Sequence, residues 1–334
     1  MSAKPTEPSK QPTVFGLSIN GGSMAEGLAF VFGRTSLTWI VTANPENLLE
    51  ARRNPTYRQA LKQADYLTVD GTGLQLMLGI VGQPTARVTG VELGERLIEE
   101  AAKHDWKVGF IGGATTIAEK TAQYWQRRYP GLRVVAEEGG RIALDGAGDA
   151  AEEEAMHRMV LAAPDILLVA FGGGTSKQES WIARRSADLP SLKVIVGVGG
   201  AFDFWTERIK RAPQVLQRIG LEWAWRLFQE PRRIGRILRA TCVFPVLFLV
   251  DALKQPGEVR KKALYFITIV LRVLFVVAIL LPALYQYLRF MFRVGIGRYH
   301  WALIDLIVPL MFFVVSYPIV RFFFHLQGIL KTQR

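Results

Sequence analysis

Asp70 is the residue around which the candidate chemistry of this sequence gathers. It follows an apolar run, residues 66–69, that is typical of a buried strand, and Gly71 and Gly73 follow it closely. Ligands of open α/β sheets bind beyond the carboxyl ends of the strands, so Asp70 would lie at the mouth of a crevice. A carboxylate there can act as a general base towards a hydroxyl nucleophile. Asp-Gly is also ordinary turn chemistry, and on this motif alone both interpretations stay open.

Thr42 and Asn44 follow another predicted strand and precede Pro45. Asn44 is suited to cap a helix that begins at Pro45, and capping alone would explain it. The functional alternative is that Thr42 and Asn44 hydrogen-bond a polar ligand at the same crevice edge as Asp70. Arg87 is a candidate for pairing with a diphosphate group, with a surface salt bridge as its alternative.

Glycine-rich stretches end three further predicted strands, and each is followed by a predicted helix or by polar residues. Backbone N–H groups at such helix starts can hold a phosphate. The complete dinucleotide fingerprint is missing, so each loop alone is a weak signal. Taken together with a nearby lysine, they favour a nucleotide-diphosphate ligand over simple tight turns. The residues that we expect to contact it are Gly112, Gly113, Lys177, Gln178, Gly199 and Gly200.

Other catalytic chemistries lack a signature in this sequence. The histidines His104, His157, His300 and His325 are dispersed, and no carboxylates have metal-ligand spacing, so we expect no metal or other cofactor. No serine-centred nucleophile elbow is present. The single cysteine, Cys242, excludes an intramolecular disulfide, which fits a reducing compartment.

The elements that must position these residues alternate between β-rich and helical stretches from residue 14 to about residue 200. This alternation predicts a Rossmann-like, mostly parallel α/β sheet with helices on both faces. Residues 1–13 are predicted to be a disordered leader, and residues 14–204 the catalytic domain. The predicted strands are 37–42, 66–69, 108–111, 133–136, 166–170 and 193–198, and the predicted helices are 45–63, 90–104, 116–129, 150–163 and 177–187.

The excess positive charge lies entirely in the later part of the chain. Residues 1–204 carry 21 Lys and Arg against 23 Asp and Glu, residues 205–262 carry 13 against 5, and residues 263–334 carry 7 against 1. Basic charge beside apolar runs indicates an anionic membrane surface. Nucleic acid is not expected as a partner, because no binding motif accompanies the charge. We therefore predict a basic helical appendage, 205–253, that faces the membrane and contains helices over 214–228 and 231–240. A basic linker, 254–262, and an anchoring region, 263–334, follow it.

Two apolar segments, 263–288 and 301–320, are each long enough to cross roughly 30 Å of hydrocarbon. They predict two apolar membrane helices, most simply a spanning hairpin. That hairpin would expose Arg289, Arg293 and Arg298 outside, against the positive-inside bias. Segments that lie in the interface on the cytoplasmic side are the alternative.

Several motifs taken in order resemble the WecG/TagA/CpsF family of bacterial glycosyltransferases over about residues 14–240. They are 42–46, 70–73, 87–90, 177–179, 197–203, 211–213 and 220–223, and the last continues to 233. The resemblance implies a metal-independent, inverting transfer from a UDP-sugar to a polyprenyl-diphosphate-linked saccharide in surface polysaccharide synthesis. The implied sugar is N-acetylmannosamine, its uronic acid or glucose. The implied location is the cytoplasmic face of the inner membrane.

The same resemblance assigns roles to individual residues. Asp70 matches the proposed base, Thr42, Asn44 and Gln178 match residues around the donor sugar, and the appendage arginines match groups that engage the acceptor's diphosphate. Ser176 departs from the pattern, since the family usually has proline there, which leaves donor choice open. The three arginines are Arg226, Arg233 and Arg236.

Two other classes of protein fit parts of the pattern. One is a membrane-attached nucleotide-binding sensor or scaffold without transferase activity. The other is an oxidoreductase that uses the glycine loops for a dinucleotide, which the incomplete fingerprint disfavours. Self-association into a homo-oligomer also stays open, because an exposed apolar appendage can pair subunits as readily as it meets lipid.

Overall fold

The computed structural model describes residues 11–172 and 174–295. They belong to two compact units that are divided between Arg260 and Lys261. The first unit contains all the described strands. In the second unit, the described residues belong to one long helix.

A six-stranded sheet forms the centre of the first unit, beside a short antiparallel hairpin. Its strand order is β4-β3-β8-β7-β5-β6 with every pairing parallel, which confirms the predicted Rossmann-like α/β domain. The central strands β3, β7 and β8 are buried along their whole length, as expected for a sheet covered on both faces. The strands are β1 (Thr13–Val14), β2 (Leu17–Ser18), β3 (Thr38–Ala43), β4 (Tyr66–Val69), β5 (Lys107–Gly112), β6 (Arg133–Glu137), β7 (Ile166–Ala170) and β8 (Val194–Gly197).

The described α-helices connect the strands and then continue into the basic appendage. A π-helical turn, Arg239–Val243, joins two of the appendage helices. The helices are α1 (Met24–Phe32), α2 (Pro45–Arg53), α3 (Pro55–Leu61), α4 (Thr72–Ile80), α5 (Gly90–Lys103), α6 (Ile117–Arg128), α7 (Ala150–Ala162), α8 (Lys177–Arg185), α9 (Ala201–Trp205), α10 (Gln214–Arg218), α11 (Glu222–Gln229), α12 (Ile234–Leu238), α13 (Phe244–Ala252) and α14 (Glu258–Gly295).

Aromatic rings fill the core between the sheet and its covering helices. Phe110 of β5 meets Phe202 of α9 edge-on, with ring centroids 5.7 Å apart. Trp125 of α6 meets Trp205 of α9 in the same manner at 5.3 Å. Edge-to-face contacts of this kind add to the stabilisation from burial. They fix α9 at the carboxyl end of β8, where the candidate site lies.

Two predicted helices are each broken in the structure. The predicted helix 45–63 is α2 and α3, because Asn54 caps a new helix whose first residue is Pro55, and proline cannot continue the preceding one. The predicted helix 214–228 is α10 and α11. Gly220 separates them with a φ of +76°, a backbone conformation that favours glycine.

The last helix of the appendage packs onto the start of the chain. Phe244 and Phe248 of α13 are buried, and the ring of Phe244 lies edge-on to Phe15 with centroids 6.2 Å apart. The backbone N–H of Phe15 donates to Oδ2 of Asp251 at 2.9 Å. These contacts close the first unit and tie the appendage to the catalytic domain.

The prediction of two apolar membrane helices is wrong for the described residues, since none of their helices is long and apolar enough to cross a membrane. Segment 263–288 lies within α14, where Arg272 interrupts it and Lys261 and Lys262 directly precede it. Charges within or beside such a run are costly in hydrocarbon. Helix α14 also begins at Glu258, inside the predicted linker. Segment 301–320 lies outside the described residues.

Candidate active site

The candidate site is built on the carboxyl ends of β3, β4 and β8. Ala43 of β3 is in register with Val69 of β4, so the residues that follow them emerge at the same level. The backbone N–H of Asp70 donates to the carbonyl oxygen of Ala43 at 2.9 Å, which holds the two strand ends together. This is the edge of a parallel sheet at which ligands bind.

Asp70 is half-buried at this edge, and its carboxyl group titrates near neutral pH. Burial is the largest of the causes that raise the pKa of Asp70 from 3.8 to about 7, and the nearby carboxylates of Glu222 and Glu92 act in the same direction. The positive charge of Arg87 and a hydrogen bond from the Gly90 backbone act in the opposite direction. A carboxylate with this pKa is suited to accept a proton in a reaction at neutral pH.

Gly71 lets the two strand ends approach each other closely. A Cβ atom at this position would lie 2.5 Å from Cδ of Pro45, the first residue of α2. The turn after Asp70 is therefore packed directly against the start of α2. This contact fixes the Asp70 backbone relative to Asn44.

Thr42 and Asn44 both make contacts within the protein. The hydroxyl of the buried Thr42 donates to the carbonyl oxygen of Gly197 at 3.2 Å, which links β3 to the β8 loop. Asn44 caps α2, since its Oδ1 accepts from the backbone N–H groups of Glu46 at 2.9 Å and Asn47 at 3.1 Å. The capping interpretation is thus realised for Asn44. The cap uses only the amide oxygen of Asn44. Binding of the sugar donor through Nδ2 of Asn44 stays a prediction.

Arg87 lies at the crevice, where its charge acts on Asp70. Its Nη1 donates to Oγ1 of Thr72 at 3.3 Å, in the first turn of α4. In the part of the chain that the structure describes, Arg87 takes part in no ion pair, so the surface salt-bridge interpretation finds no support.

Gln178 reaches the β8 loop, and Lys177 lies beside the glycine-rich loop that precedes α8. The backbone N–H of Gly199 donates to Oε1 of Gln178 at 3.2 Å. A Cβ atom at Gly197 would overlap Nε2 of Gln178, so the amide lies directly over that glycine. A Cβ atom added at Gly174 would lie 3.3 Å from the side-chain carbons Cε and Cγ of Lys177. Thr42 and Gln178 therefore meet at the loop that follows β8.

Gly112 and Gly113 lie farther away, at the end of β5, which is separated from β8 by β7. Both have positive φ angles, 102° and 85°. A Cβ atom at Gly112 would lie 2.8 Å from the carbonyl oxygen of Ala170, and the Gly113 N–H donates to that same oxygen at 2.8 Å. The structure thus gives these glycines a packing role, and phosphate binding there stays a prediction.

The appendage arginines fall into two groups. Arg226 lies over Gly200, because a Cβ atom added at Gly200 would be 2.7 Å from Nη2 of Arg226. The guanidinium carbon of Arg226 also lies 5.0 Å from the centroid of the Phe204 ring. Burial and the neighbouring charge of Arg233 lower the pKa of Arg226. Glu230 joins this pair, with its Oε2 3.4 Å from Nε of Arg226 and 2.8 Å from Nε of Arg233.

Arg236 points elsewhere and pairs with Glu46 of α2, its Nε 2.8 Å from Oε2. It lines a separate cavity of about 320 Å³ together with Arg53, Arg239 and residues 174–176. The charge of Arg236 nevertheless reaches Arg226, where it acts together with that of Arg233 to lower the pKa.

Sequence reasoning missed the appendage's contribution to the environment of Asp70. Glu222 of α11, which is distant from Asp70 in sequence, raises the pKa of Asp70. Arg211 connects Glu222 to Glu92 of α5. Its Nε lies 3.6 Å from Oε1 of Glu222, and its Nη2 lies 3.3 Å from Oε1 of Glu92. Gly220 packs on Thr72, where a Cβ atom would be 2.5 Å from Cγ2. Glu222 and Arg211 lie in motifs that carried the family resemblance, which was the available signal.

The parallel sheet and the polar crevice at its carboxyl edge define a Rossmann-like α/β protein with an enzyme-type site. The model of the glycosyl transferase WecG/TagA/CpsF family matches residues 12–258, so the chain belongs to this family and is a glycosyltransferase. The predicted resemblance is confirmed. Among the described residues, no group of three or more His, Cys, Asp or Glu side chains could hold a metal ion.

Two similar relatives carry the same name, N-acetylglucosaminyldiphosphoundecaprenol N-acetyl-beta-D-mannosaminyltransferase. The protein from Bacillus spizizenii is 32% identical over 201 residues, which cover 60% of this chain and 74% of the relative. A protein from Staphylococcus aureus is 35% identical over 218 residues, which cover 64% of this chain and 82% of the relative.

Proposed function

We propose that this glycosyltransferase transfers an N-acetylmannosamine-type sugar from a UDP-sugar to a polyprenyl-diphosphate-linked saccharide, with inversion of the anomeric carbon. The observation that carries the proposal is Asp70, a half-buried carboxyl group with a pKa of about 7 at the strand-end crevice. The names of the relatives support the transferred group and the class of acceptor, and favour N-acetylmannosamine over its uronic acid or glucose.

The reaction is a single displacement in which Asp70 takes the proton of the acceptor hydroxyl. The hydroxyl oxygen forms a bond to the anomeric carbon of the donor sugar while the bond from that carbon to the phosphate oxygen breaks. UDP leaves with the electron pair of the broken bond. A pKa of about 7 leaves a large fraction of Asp70 ionised at neutral pH and still basic enough to accept the proton.

Cationic side chains and backbone N–H groups stabilise the leaving diphosphate in this proposal. Arg87 lies at the crevice, and Lys177 lies beside the glycine-rich loop that precedes α8. Such groups stabilise developing negative charge as a metal ion would. Turnover is accordingly expected to persist after treatment with a chelator, and complete loss of turnover that Mg²⁺ restores would contradict this part.

The acceptor's lipid tail brings the enzyme to the cytoplasmic face of the bacterial inner membrane in this proposal. The appendage, residues 205–253, carries a basic surplus of 9 Lys and Arg against 4 Asp and Glu. It also exposes Ile219, Phe228 and Leu238, with 83% of Phe228 accessible. Exposed apolar groups among basic ones suit the headgroup layer of an anionic membrane.

The decisive experiment measures UDP release from UDP-N-acetylmannosamine with and without a polyprenyl-diphosphate-linked N-acetylglucosamine acceptor. Release that requires the acceptor and falls by about 10²- to 10⁴-fold in Asp70→Asn supports the proposal, since a general base typically contributes that much. Near-normal turnover in Asp70→Asn contradicts the general-base role. Donor binding without any transfer by the wild type would favour a nucleotide-binding sensor or scaffold.

A further inference from the structure

A buried chain of hydrogen bonds begins at the cap of α2 and runs away from the crevice edge. The backbone N–H of Asn44 donates to Oδ1 of Asn47 at 3.3 Å. Nδ2 of Asn47 donates to the hydroxyl of Tyr57 at 3.0 Å, and that hydroxyl donates to Oε2 of Glu179 at 3.1 Å. Asn47, Tyr57 and Glu179 are all buried, with 5%, 1% and 6% of their surfaces exposed.

The chain returns to the crevice through Gln178. Its Nε2 donates to Oε1 of Glu179 at 3.0 Å, and its Oε1 accepts from the backbone N–H of Gly199 at 3.2 Å. We call Asn47, Tyr57, Glu179 and Gln178 the buried relay. It connects the loop after β3 to the loop after β8 through side chains of α2, α3 and α8.

The orientation of the two amides in the buried relay is determined by its ends. Both ends are backbone N–H groups, of Asn44 and Gly199, and these can only donate. The amide oxygens must therefore face the two ends, and the amide nitrogens must face inward. The inward donors converge on Glu179, whose pKa is raised by burial and whose two carboxyl oxygens lie 3.1 Å from the Tyr57 hydroxyl and 3.0 Å from Nε2 of Gln178. The Tyr57 hydroxyl also lies 3.4 Å from the carbonyl oxygen of Thr175. Neither amide can flip without losing the hydrogen bonds at both of its ends.

This arrangement leaves Gln178 with one side-chain N–H that the relay does not use. Nε2 has two hydrogens, and Glu179 accepts one of them. Nε2 also lies over Gly197, whose carbonyl oxygen accepts from Thr42 at the crevice. Without the carboxylate behind it, the amide could rotate and present its oxygen at this position instead.

We propose that Asn47, Tyr57 and Glu179 are positioning residues that hold the Gln178 amide so that its remaining N–H donates to an oxygen of the nucleotide-sugar donor. This inference rests on the proposed function. It assigns a role to Tyr57, which none of the sequence motifs includes. Buried groups that orient a ligand-contacting side chain control binding and rate without touching the ligand.

The test is a double-mutant cycle between Tyr57→Phe and Gln178→Ala. Tyr57→Phe keeps the ring and removes the hydroxyl. We expect it to lower kcat/KM for the UDP-sugar by about tenfold in the wild-type background, the size of one lost buried hydrogen bond, and by less than about twofold in the Gln178→Ala background. Calorimetric binding of UDP-N-acetylmannosamine, measured in all four proteins, provides the same comparison where turnover is slow.

Equal losses in both backgrounds would overturn the proposal, because Tyr57 would then act independently of Gln178. Glu179→Gln is the second variant, since its amide places an oxygen at only one of the two positions that accept from Tyr57 and Gln178. It replaces Tyr57→Phe in the cycle if that variant fails to fold. Tyr66→Phe is the matched control. Its hydroxyl is also buried and donates to the carbonyl oxygen of Gly21 at 2.9 Å, outside the relay, so kcat/KM should stay within about twofold.

The outcomes also separate this inference from the proposed function. Absence of acceptor-dependent transfer in the wild type would contradict the proposed function. Transfer that is present in the wild type, with additive losses in the cycle, would contradict the buried relay alone.

Discussion

Arg236 donates through Nε to Oε2 of Glu46 at 2.8 Å and thereby joins the appendage to the candidate active site. Glu46 lies in the first turn of α2, two residues after Asn44. The appendage is thus fixed to the crevice edge by an ion pair as well as by the packing of Gly220 on Thr72. An anionic group of the acceptor that approaches Arg236 would compete with Glu46.

Neutralising Arg236 should weaken acceptor use more than donor use. Arg236→Gln is expected to raise KM for the lipid-linked acceptor by about tenfold, because one charge-assisted bond to a phosphate is lost, and to leave KM for the donor within about twofold. Arg232→Gln is the matched control, since Arg232 is an exposed arginine of the same segment. Steady-state kinetics with each substrate varied in turn gives both constants. A similar rise in both KM values would contradict the assignment.

The activity should rise with pH through about 7, because Asp70 accepts a proton only when it is ionised and its pKa is about 7. Glu222→Gln removes a neighbouring negative charge that raises the pKa of Asp70. The acid limb of the pH–kcat/KM profile should therefore move to lower pH in this variant. Glu207→Gln, at an exposed carboxylate that does not act on Asp70, should leave the limb unchanged. Coincident profiles of Glu222→Gln and wild type would exclude this coupling.

Ionisation of Asp70 should also destabilise the folded protein at neutral and alkaline pH. Its pKa is about 7 in the folded chain against 3.8 ordinarily, so the folded chain keeps a proton that the unfolded chain releases between these values. Stability is therefore lost as pH rises through this window, and the loss is complete above the folded pKa. Asp70→Asn, which stays neutral, should unfold at a higher temperature than wild type at about pH 8, with a smaller difference at about pH 5. Calorimetric unfolding at both pH values measures this, and a difference that is independent of pH would contradict it.

The central sheet was predictable because its strands carry their own signal. Apolar runs such as Ile166–Ala170 are buried over their whole length, and a local pattern suffices to recognise them. The break at Pro55 was also visible in the sequence, but the helical pattern on both sides of it obscured the cap that Asn54 forms. Helix α4 was not predicted, because it begins directly after the glycine turn that follows Asp70.

Long-range polar contacts were the part that the sequence could not reveal. The hydroxyl of Tyr57 meets Glu179 across 122 residues, and neither residue belongs to a spacing pattern that would link them. The effect of Glu222 on Asp70 depends on how the appendage folds back. The length of the apolar segment 263–288 suggested a membrane helix, but none of the described helices is long and apolar enough to cross a membrane.

Membrane attachment through the appendage should depend on its exposed apolar side chains. Phe228→Ser is expected to reduce co-sedimentation with vesicles that contain anionic phospholipid by severalfold, since burial of an aromatic side chain is lost. Leu144→Ser is the matched control, because Leu144 is also exposed, at 61%, but lies in the catalytic domain. Equal loss in both variants, or no loss in Phe228→Ser, would mean that another surface meets the lipid.

Replacing Gly197 with alanine should displace the Gln178 amide from the crevice. The new Cβ atom would overlap Nε2 of Gln178, which would have to abandon either Gly199 or Glu179. We expect the affinity for UDP-N-acetylmannosamine to fall by about tenfold or more, since a buried hydrogen bond that holds the amide is broken. Gly79→Ala is the control, because no atom lies within 4 Å of its added Cβ atom. Calorimetric titration compares the two variants, and unchanged donor affinity in Gly197→Ala would show that the position of the Gln178 amide does not matter for the donor.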